Sequence, residues 1–259
     1  MIAAAVRQLR LFFIALQFFT RLPVPRWVGF EMAWLQQSSR YFPAVGVVVG
    51  GIVALTYLLC AMLWPQPVAV LLSVVAGIWV TGAFHEDGFA DTCDGMGGGM
   101  TPQRVMEIMT DSRIGTYGAV GIGLLLALKC TTLSLLPPAL VAPALLLAHP
   151  ASRLASAALI WKLDYVKGEG KAKPLAQKMS GGEFLVGVVS VAAPALLMTW
   201  LGLLTWAALA VALAALTLIS VWLARRFVRR IGGYTGDCLG AVQQAGEAAI
   251  YLALLAMAA

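Results

Sequence analysis

Residues 66–95 read QPVAVLLSVVAGIWVTGAFHEDGFADTCDG. Positions 66–84 carry no charged side chain and are long enough for a membrane helix. The next eleven positions hold Glu86, Asp87, Asp91 and Asp94. Adding Glu107 and Asp111 places six of the chain's twelve acids between 86 and 111. Carboxylates this close repel one another and call for a divalent cation, a cationic substrate or altered protonation. A lipid-length run feeding directly into such a cluster predicts a membrane protein with its working site at the membrane edge.

The rest of the chain extends this frame. Of the 259 residues, 61% are hydrophobic and 12% charged, a composition outside the range of soluble domains. Seven apolar stretches are predicted to span: 42–63, 66–84, 116–136, 138–160, 184–203, 205–223 and 239–258. Short connections join the first to the second, the third to the fourth and the fifth to the sixth. The fold class is therefore all-α, a polytopic integral membrane bundle of about seven transmembrane helices, three hairpins and a final span. All long connections fall on one side, which holds 16 of the 18 Lys and Arg residues. The positive-inside rule makes that side cytoplasmic. This topology accounts for the net charge of +6 without a nucleic-acid partner.

Residues 1–41 form an N-terminal segment expected to lie in the interface. Leu11–Phe19 is apolar but too short to span, and Trp27, Phe30 and Trp34 recur as one stripe suited to the headgroup level. The four cysteines, Cys60, Cys93, Cys130 and Cys238, contain no CxxC pair and predict neither a zinc site nor a redox pair.

Within the acidic loop 85–115, Asp87, Asp91 and Asp94 are spaced i, i+4, i+7 and share one face if the second membrane helix continues past His85. An all-oxygen set suits Mg²⁺, which takes substrate phosphates as further ligands. The plain alternative is a solvated acidic loop. Gly97–Gly99 is expected to be a flexible break, with Thr101 capping a helix that starts at Pro102. Arg104 and Glu107 read as a surface pair. Asp111 is placed to complete a four-carboxylate site and Arg113 to hold a phosphate, the alternative being an ordinary salt bridge between them.

Arg225, Arg226, Arg229 and Arg230 extend the sixth span, as headgroup anchors or as phosphate ligands. They precede residues 232–237, expected to be flexible. Asp237, Gln244 and Tyr251 recur every seven residues on the last helix, with Gly240 and Glu247 close to the same face. Glu247 lies inside a span and must be paired or hydrated. Lys129 and Arg153, the two basic residues inside spans, are its candidate partners, and lining a substrate cavity is the other reading. His149 reads as a packed histidine. The lysines of 162–178 suit a mobile segment or a lid over an anionic substrate. The G-x-x-x-G of Gly46 and Gly50 permits close helix contact, a feature of homo-oligomers.

Carboxylates and arginines on one side of a membrane fit metal-assisted phosphoryl transfer. The aspartate motif of the enzymes that move alcohol phosphates from nucleotide diphosphates is only partly echoed at Asp87–Asp91. A closer resemblance runs the length of the chain. His85-Glu86-Asp87-Gly88-Phe89-Ala90-Asp91-Thr92-Cys93-Asp94-Gly95 resembles the H-x-D-G-x-A-D-x-x-D-G signature of the cobalamin synthase (adenosylcobinamide-GDP ribazoletransferase) family. Thr20–Pro25, Tyr41-Phe42-Pro43 with Gly46, Asp111-Ser112-Arg113 with Gly115 and Gly118, and Gly233–Asp237 with Gly240 resemble its other motifs in order.

The resemblance implies a Mg²⁺-dependent enzyme of the bacterial inner membrane, with its active site on the cytoplasmic side. Adenosylcobinamide-GDP would react with α-ribazole or its 5′-phosphate. The ribose 3′-hydroxyl attacks the phosphorus on the aminopropanol arm and GMP leaves. Asp87, Asp91, Asp94 and Asp111 become the metal and catalytic set. Arg21, His85, Arg113, Arg225, Arg229, Asp237, Gln244 and Glu247 become substrate contacts, and association with other enzymes of cobalamin synthesis is expected. The rival reading is a transporter with the acids as a cation pathway, kept in play by Glu247, Arg153 and Lys129. A third reading, a scaffold anchoring partner enzymes, leaves the aspartate spacing unexplained.

Overall fold

The computed structural model describes residues 2–166 and 179–258. These fold into eleven helices: α1 (Ile2–Phe19), α2 (Met32–Ser38), α3 (Phe42–Ala61), α4 (Gln66–Thr81), α5 (Phe84–Gly98), α6 (Pro102–Ile108), α7 (Thr116–Leu135), α8 (Pro138–Lys162), α9 (Gly181–Trp200), α10 (Trp206–Ile231) and α11 (Gly236–Ala258). Pro43, Pro67, Pro102 and Pro138 stand in the first turns of α3, α4, α6 and α8, where a missing N–H costs nothing.

The apolar run and the acidic segment are separate helices. α4 ends at Gly82 in the left-handed region (φ 66°), with the Ala83 N–H donating to the Ile78 carbonyl at 3.0 Å. This closes a Schellman-type cap. Ala83 follows, also at positive φ (59°), and α5 leaves at 90° to α4. The expected continuation of the second span past His85 is thus replaced by a corner. Two successive left-handed residues end α4's hydrogen-bond ladder and redirect the chain. Arg21 locks the corner: its backbone N–H donates to the Val80 carbonyl at 2.8 Å, and its guanidinium lies where a Cβ at Gly82 would be, 2.8 Å from Nε.

Among the described residues, six segments are long and apolar enough to cross a membrane: Met32–Ala61, which joins α2 to α3, and α7, α8, α9, α10 and α11. The bent pair α4–α5 makes a seventh when counted as one span. The hairpins α3–α4, α7–α8 and α9–α10 and the final helix α11 match the expected order. Trp64, Trp200 and Trp206 stand exposed beside the short uncharged turns, as interfacial tryptophans do. The acids of α5 and the arginines at the end of α10 lie at the opposite, polar end.

The G-x-x-x-G of α3 is used within the chain. A Cβ at Gly46 would fall 2.5 Å from Pro150 Cα, and one at Gly50 would fall 3.1 Å from the Leu145 carbonyl oxygen. The pair brings α3 onto α8 and is closed to a second copy. Near the N-terminus, α1 buries Leu11, Ile14 and Leu16 in the core. The expected aromatic stripe is not one helix face, because Gly29 (φ 63°) separates Trp27 from α2. Trp27 and Trp34 instead flank the Arg10 guanidinium, at 5.9 and 4.7 Å. Lys167, Lys171, Lys173 and Lys178, the body of the predicted lid, lie outside the described residues.

Candidate active site

The expected acidic loop is mostly helix. α5 carries the aspartates, and α6 follows with Thr101 capping it through the Arg104 N–H at 3.2 Å. Arg104 and Glu107 pair on its surface at 2.9 Å. Gly97 and Gly98 do not break the chain but form the end of α5. The absence of a side chain at Gly97 admits the Tyr117 ring, whose nearest atom would be 2.6 Å from an added Cβ.

α5 crosses α11 at two glycines. A Cβ at Gly88 would come within 3.0 Å of Asp237 Cα, and one at Gly240 within 3.0 Å of the His85 carbonyl oxygen. Backbone meets backbone, so the rotation of α5 is fixed and Asp237 is brought beside Gly88, between Asp87 and Asp91 in sequence. Asp87 is exposed, while Asp91 and Asp237 are half-buried. Residues 232–237 are not flexible. Tyr234 and Thr235 are buried, and the Tyr234 N–H and carbonyl bridge to Asp164 and Val166, each at 3.0 Å.

Asp94 takes a different direction from the other two. It is buried and accepts the Gly115 N–H at 2.7 Å and the Gly118 N–H at 2.8 Å. Its charge satisfies two orphan donors at the positive end of α7. Added Cβ atoms at Gly115 and Gly118 would lie 2.5 and 2.3 Å from its oxygens, so both positions must be bare. The i, i+4, i+7 face exists, but α7 covers its Asp94 end.

Asp111 and Arg113 pair with each other. The Arg113 guanidinium donates to both Asp111 oxygens, at 2.8 and 3.1 Å, and its backbone N–H to one of them. These bonds hold the Asp111 carboxyl down at about 2. So low a proton affinity makes Asp111 a poor base at neutral pH while the pair is intact.

The α10 arginines divide. Arg230 donates to the Met96 and Gly99 carbonyls and so caps the C-terminus of α5. Arg226 lies over the Trp222 ring at 5.7 Å, and like Arg225 and Arg229 it is exposed. The α5 axis is therefore bracketed by Arg21 at its start and Arg230 at its end, with Arg113 beyond the helix terminus that Asp94 holds.

Glu247 is fully buried about 16 Å along α11 from its start. Lys129 Nζ donates to it at 2.6 Å and His149 Nδ1 at 2.7 Å, Gln243 Nε2 donates as well, and Arg153 stands at 3.9 Å. Lys129 also donates to Gln244 at 2.9 Å, and Gln244 to Glu86 at 2.8 Å. The chain of contacts runs from mid-membrane to α5. Its cavity, about 20 Å³, has room for a water and not for a substrate. In this arrangement Gln244 and Glu247 serve the network. His85, buried and stacked on Phe19 at 5.3 Å, packs between α5 and this core.

Sequence reasoning passes over Gln243, and His149, read there as packed, is buried as expected but also donates to Glu247. Each lies four positions from a charged partner on its own helix, Arg153 and Glu247, which was the available signal.

A model of the cobalamin-5-phosphate synthase family matches residues 11–255. The chain is 47% identical to the adenosylcobinamide-GDP ribazoletransferase of Leptothrix cholodnii, over 98% of each chain. It is 43% identical to that of Shewanella frigidimarina, over 97% of this chain and 96% of the relative. The Vibrio cholerae enzyme of the same name is also 43% identical, over 98% and 97%. No solved structure matches. With the match running through α5, the α7 N-terminus and α11, the chain belongs to the cobalamin-5-phosphate synthase family and is a transferase of cobalamin synthesis.

Proposed function

We propose that the α5 face joins adenosylcobinamide-GDP to α-ribazole, or to its 5′-phosphate, and releases GMP. The observation that carries this reading is the arrangement of Asp87, Asp91 and Asp237 at the α5–α11 crossing, bracketed by arginines at one polar end. The relatives' name supplies the GDP-activated substrate. The concentration of basic residues at that end supports a cytoplasmic orientation in a bacterial inner membrane.

Among the described residues no three His, Cys, Asp or Glu side chains are grouped to hold a metal ion by themselves. Mg²⁺ commonly uses only one or two carboxylates and completes its shell with water and phosphate oxygens. The oxygen donors of Asp87 and Asp91 fit that pattern, with Asp94 anchoring α7 behind them. When bound, Mg²⁺ would neutralise the diphosphate and stabilise the leaving phosphate. Arg113 and Arg229 would draw phosphates toward α5, and Arg21 holds the corner from which α5 starts. The 3′-hydroxyl oxygen forms the new P–O bond, the bond to GMP breaks, and the hydroxyl proton passes to a carboxylate of this face.

The test is GMP release from adenosylcobinamide-GDP by the full chain reconstituted in vesicles, with and without α-ribazole and Mg²⁺. Release requiring both is the expected result. Release that survives chelation would remove the metal from the proposal. No release under any of these conditions would remove the reaction.

A further inference from the structure

α9 and α10 diverge from one another, and between them and α8 lies a groove of about 440 Å³. Ala155 and Ala158 of α8 form its floor, and Val191, Leu213, Thr217 and Val221 form its walls. The Thr217 hydroxyl is satisfied by the Leu213 carbonyl at 2.8 Å and that of Ser220 by Leu216 at 2.6 Å, so the lining is effectively apolar. Leu213 and Val221 remain exposed, which opens the groove sideways toward hydrocarbon.

The groove has a length and a polarity. From Ala151 to Leu163 it follows α8 for about 18 Å, close to one leaflet of a hydrocarbon core roughly 30 Å thick. Its polar-end mouth is basic. Lys162 lines it, with Nζ 3.5 Å from the centre of the Trp161 ring. On α10 the row Leu213, Thr217, Val221 leads one turn on to Arg225, which is exposed. The acid on the α9 side of the mouth, Glu183, is already paired with Arg40.

We propose that this groove holds one acyl chain of an anionic phospholipid from the leaflet at the polar end, with its phosphate at Lys162 and Arg225. Depth selects a single chain from one leaflet. The two cations select an anionic headgroup over a zwitterionic one. The small residues of the floor make the room.

Native mass spectrometry on the delipidated full chain, titrated with phosphatidylglycerol or phosphatidylcholine, reads this directly. The expected result is one tightly retained phosphatidylglycerol, bound about tenfold more tightly than phosphatidylcholine. Ala158→Trp and Thr217→Trp, which fill the groove from opposite sides, should each abolish that retention. Lys162→Glu should bring phosphatidylglycerol down to the level of phosphatidylcholine. Circular dichroism verifies folding, and either tryptophan variant alone is sufficient if the other misfolds. Equal retention of the two lipids by the unaltered chain would overturn the proposal, as would undiminished phosphatidylglycerol in a folded tryptophan variant. A lipid-free dimer broken by the same substitutions would assign the groove to a second copy and overturn it too.

Discussion

Two groups of acids in this molecule solve opposite problems. On α5, Asp87 faces solvent at the polar end, and Asp91 and Asp237 are half-buried beside it. In the middle of the bundle, Glu247 is fully buried, and Lys129, His149 and Gln243 all donate to it. A carboxylate in lipid survives only with cations and donors supplied by the fold, whereas one at the membrane edge can keep coordination sites for what arrives from water. Acid content alone therefore does not locate the chemistry; accessibility separates Asp87 from the buried Glu247. The same distinction weighs against the transporter reading, since the fold pairs Glu247 with Lys129 and stands Arg153 beside it.

Breaking the interior group should cost the most. Lys129→Met leaves Glu247 short of its closest cation and should destabilise the protein by about 3–5 kcal/mol in reversible unfolding. Adding Glu247→Gln should restore most of that loss, and a double variant no better than the single would contradict the pairing. The exterior group should show the reverse pattern. Asp87→Asn should slow GMP release about 10²–10³-fold while shifting Tm by less than about 2 °C. Near-normal turnover in that variant would end its role as a metal ligand.

Asp94 stands between the two groups, and its removal is the next smaller effect. Asp94→Ala should cost about 2–3 kcal/mol, less than opening the Glu247 cluster, and speed hydrogen exchange at the Gly115 and Gly118 amides. The smallest effect belongs to the exposed Asp111–Arg113 pair. Because Asp111 is held at about 2, the pair is at full strength above the ordinary carboxylate range and weakens only as pH falls toward 2. An NMR titration of the Asp111 carboxyl should show that midpoint, and Arg113→Ala should return it to the ordinary range with almost no change in Tm.

Much of this was legible in sequence. The number and order of the hairpins, the polar end and the Arg104–Glu107 pair all follow from local pattern. So does the spacing that puts Asp87, Asp91 and Asp94 on one helix face. What could not be read was whatever depends on a second helix. Nothing in the spacing says that α7 will start against Asp94, that Gly46 will meet Pro150, or that residues 232–237 will be pinned by a backbone bridge to Asp164. The corner was hidden for another reason. Gly82 is an ordinary helix stop, but Ala83 at positive φ violates the local preference of its own residue type, so the corner rests on contacts made elsewhere in the fold.

That corner also has a bearing on how such a protein can vary. A single straight helix from 66 to 98 would transmit every inserted or deleted residue in its lipid-facing part to the aspartates, as a rotation of about 100°. With the break at Gly82–Ala83, the azimuth of the acidic face is set by Gly88 and Gly240 at the crossing with α11 and not by the length of α4. The hydrophobic ruler and the reactive surface are thereby uncoupled. Lineages with bilayers of different thickness can trim or extend α4 without re-aiming Asp87 and Asp91.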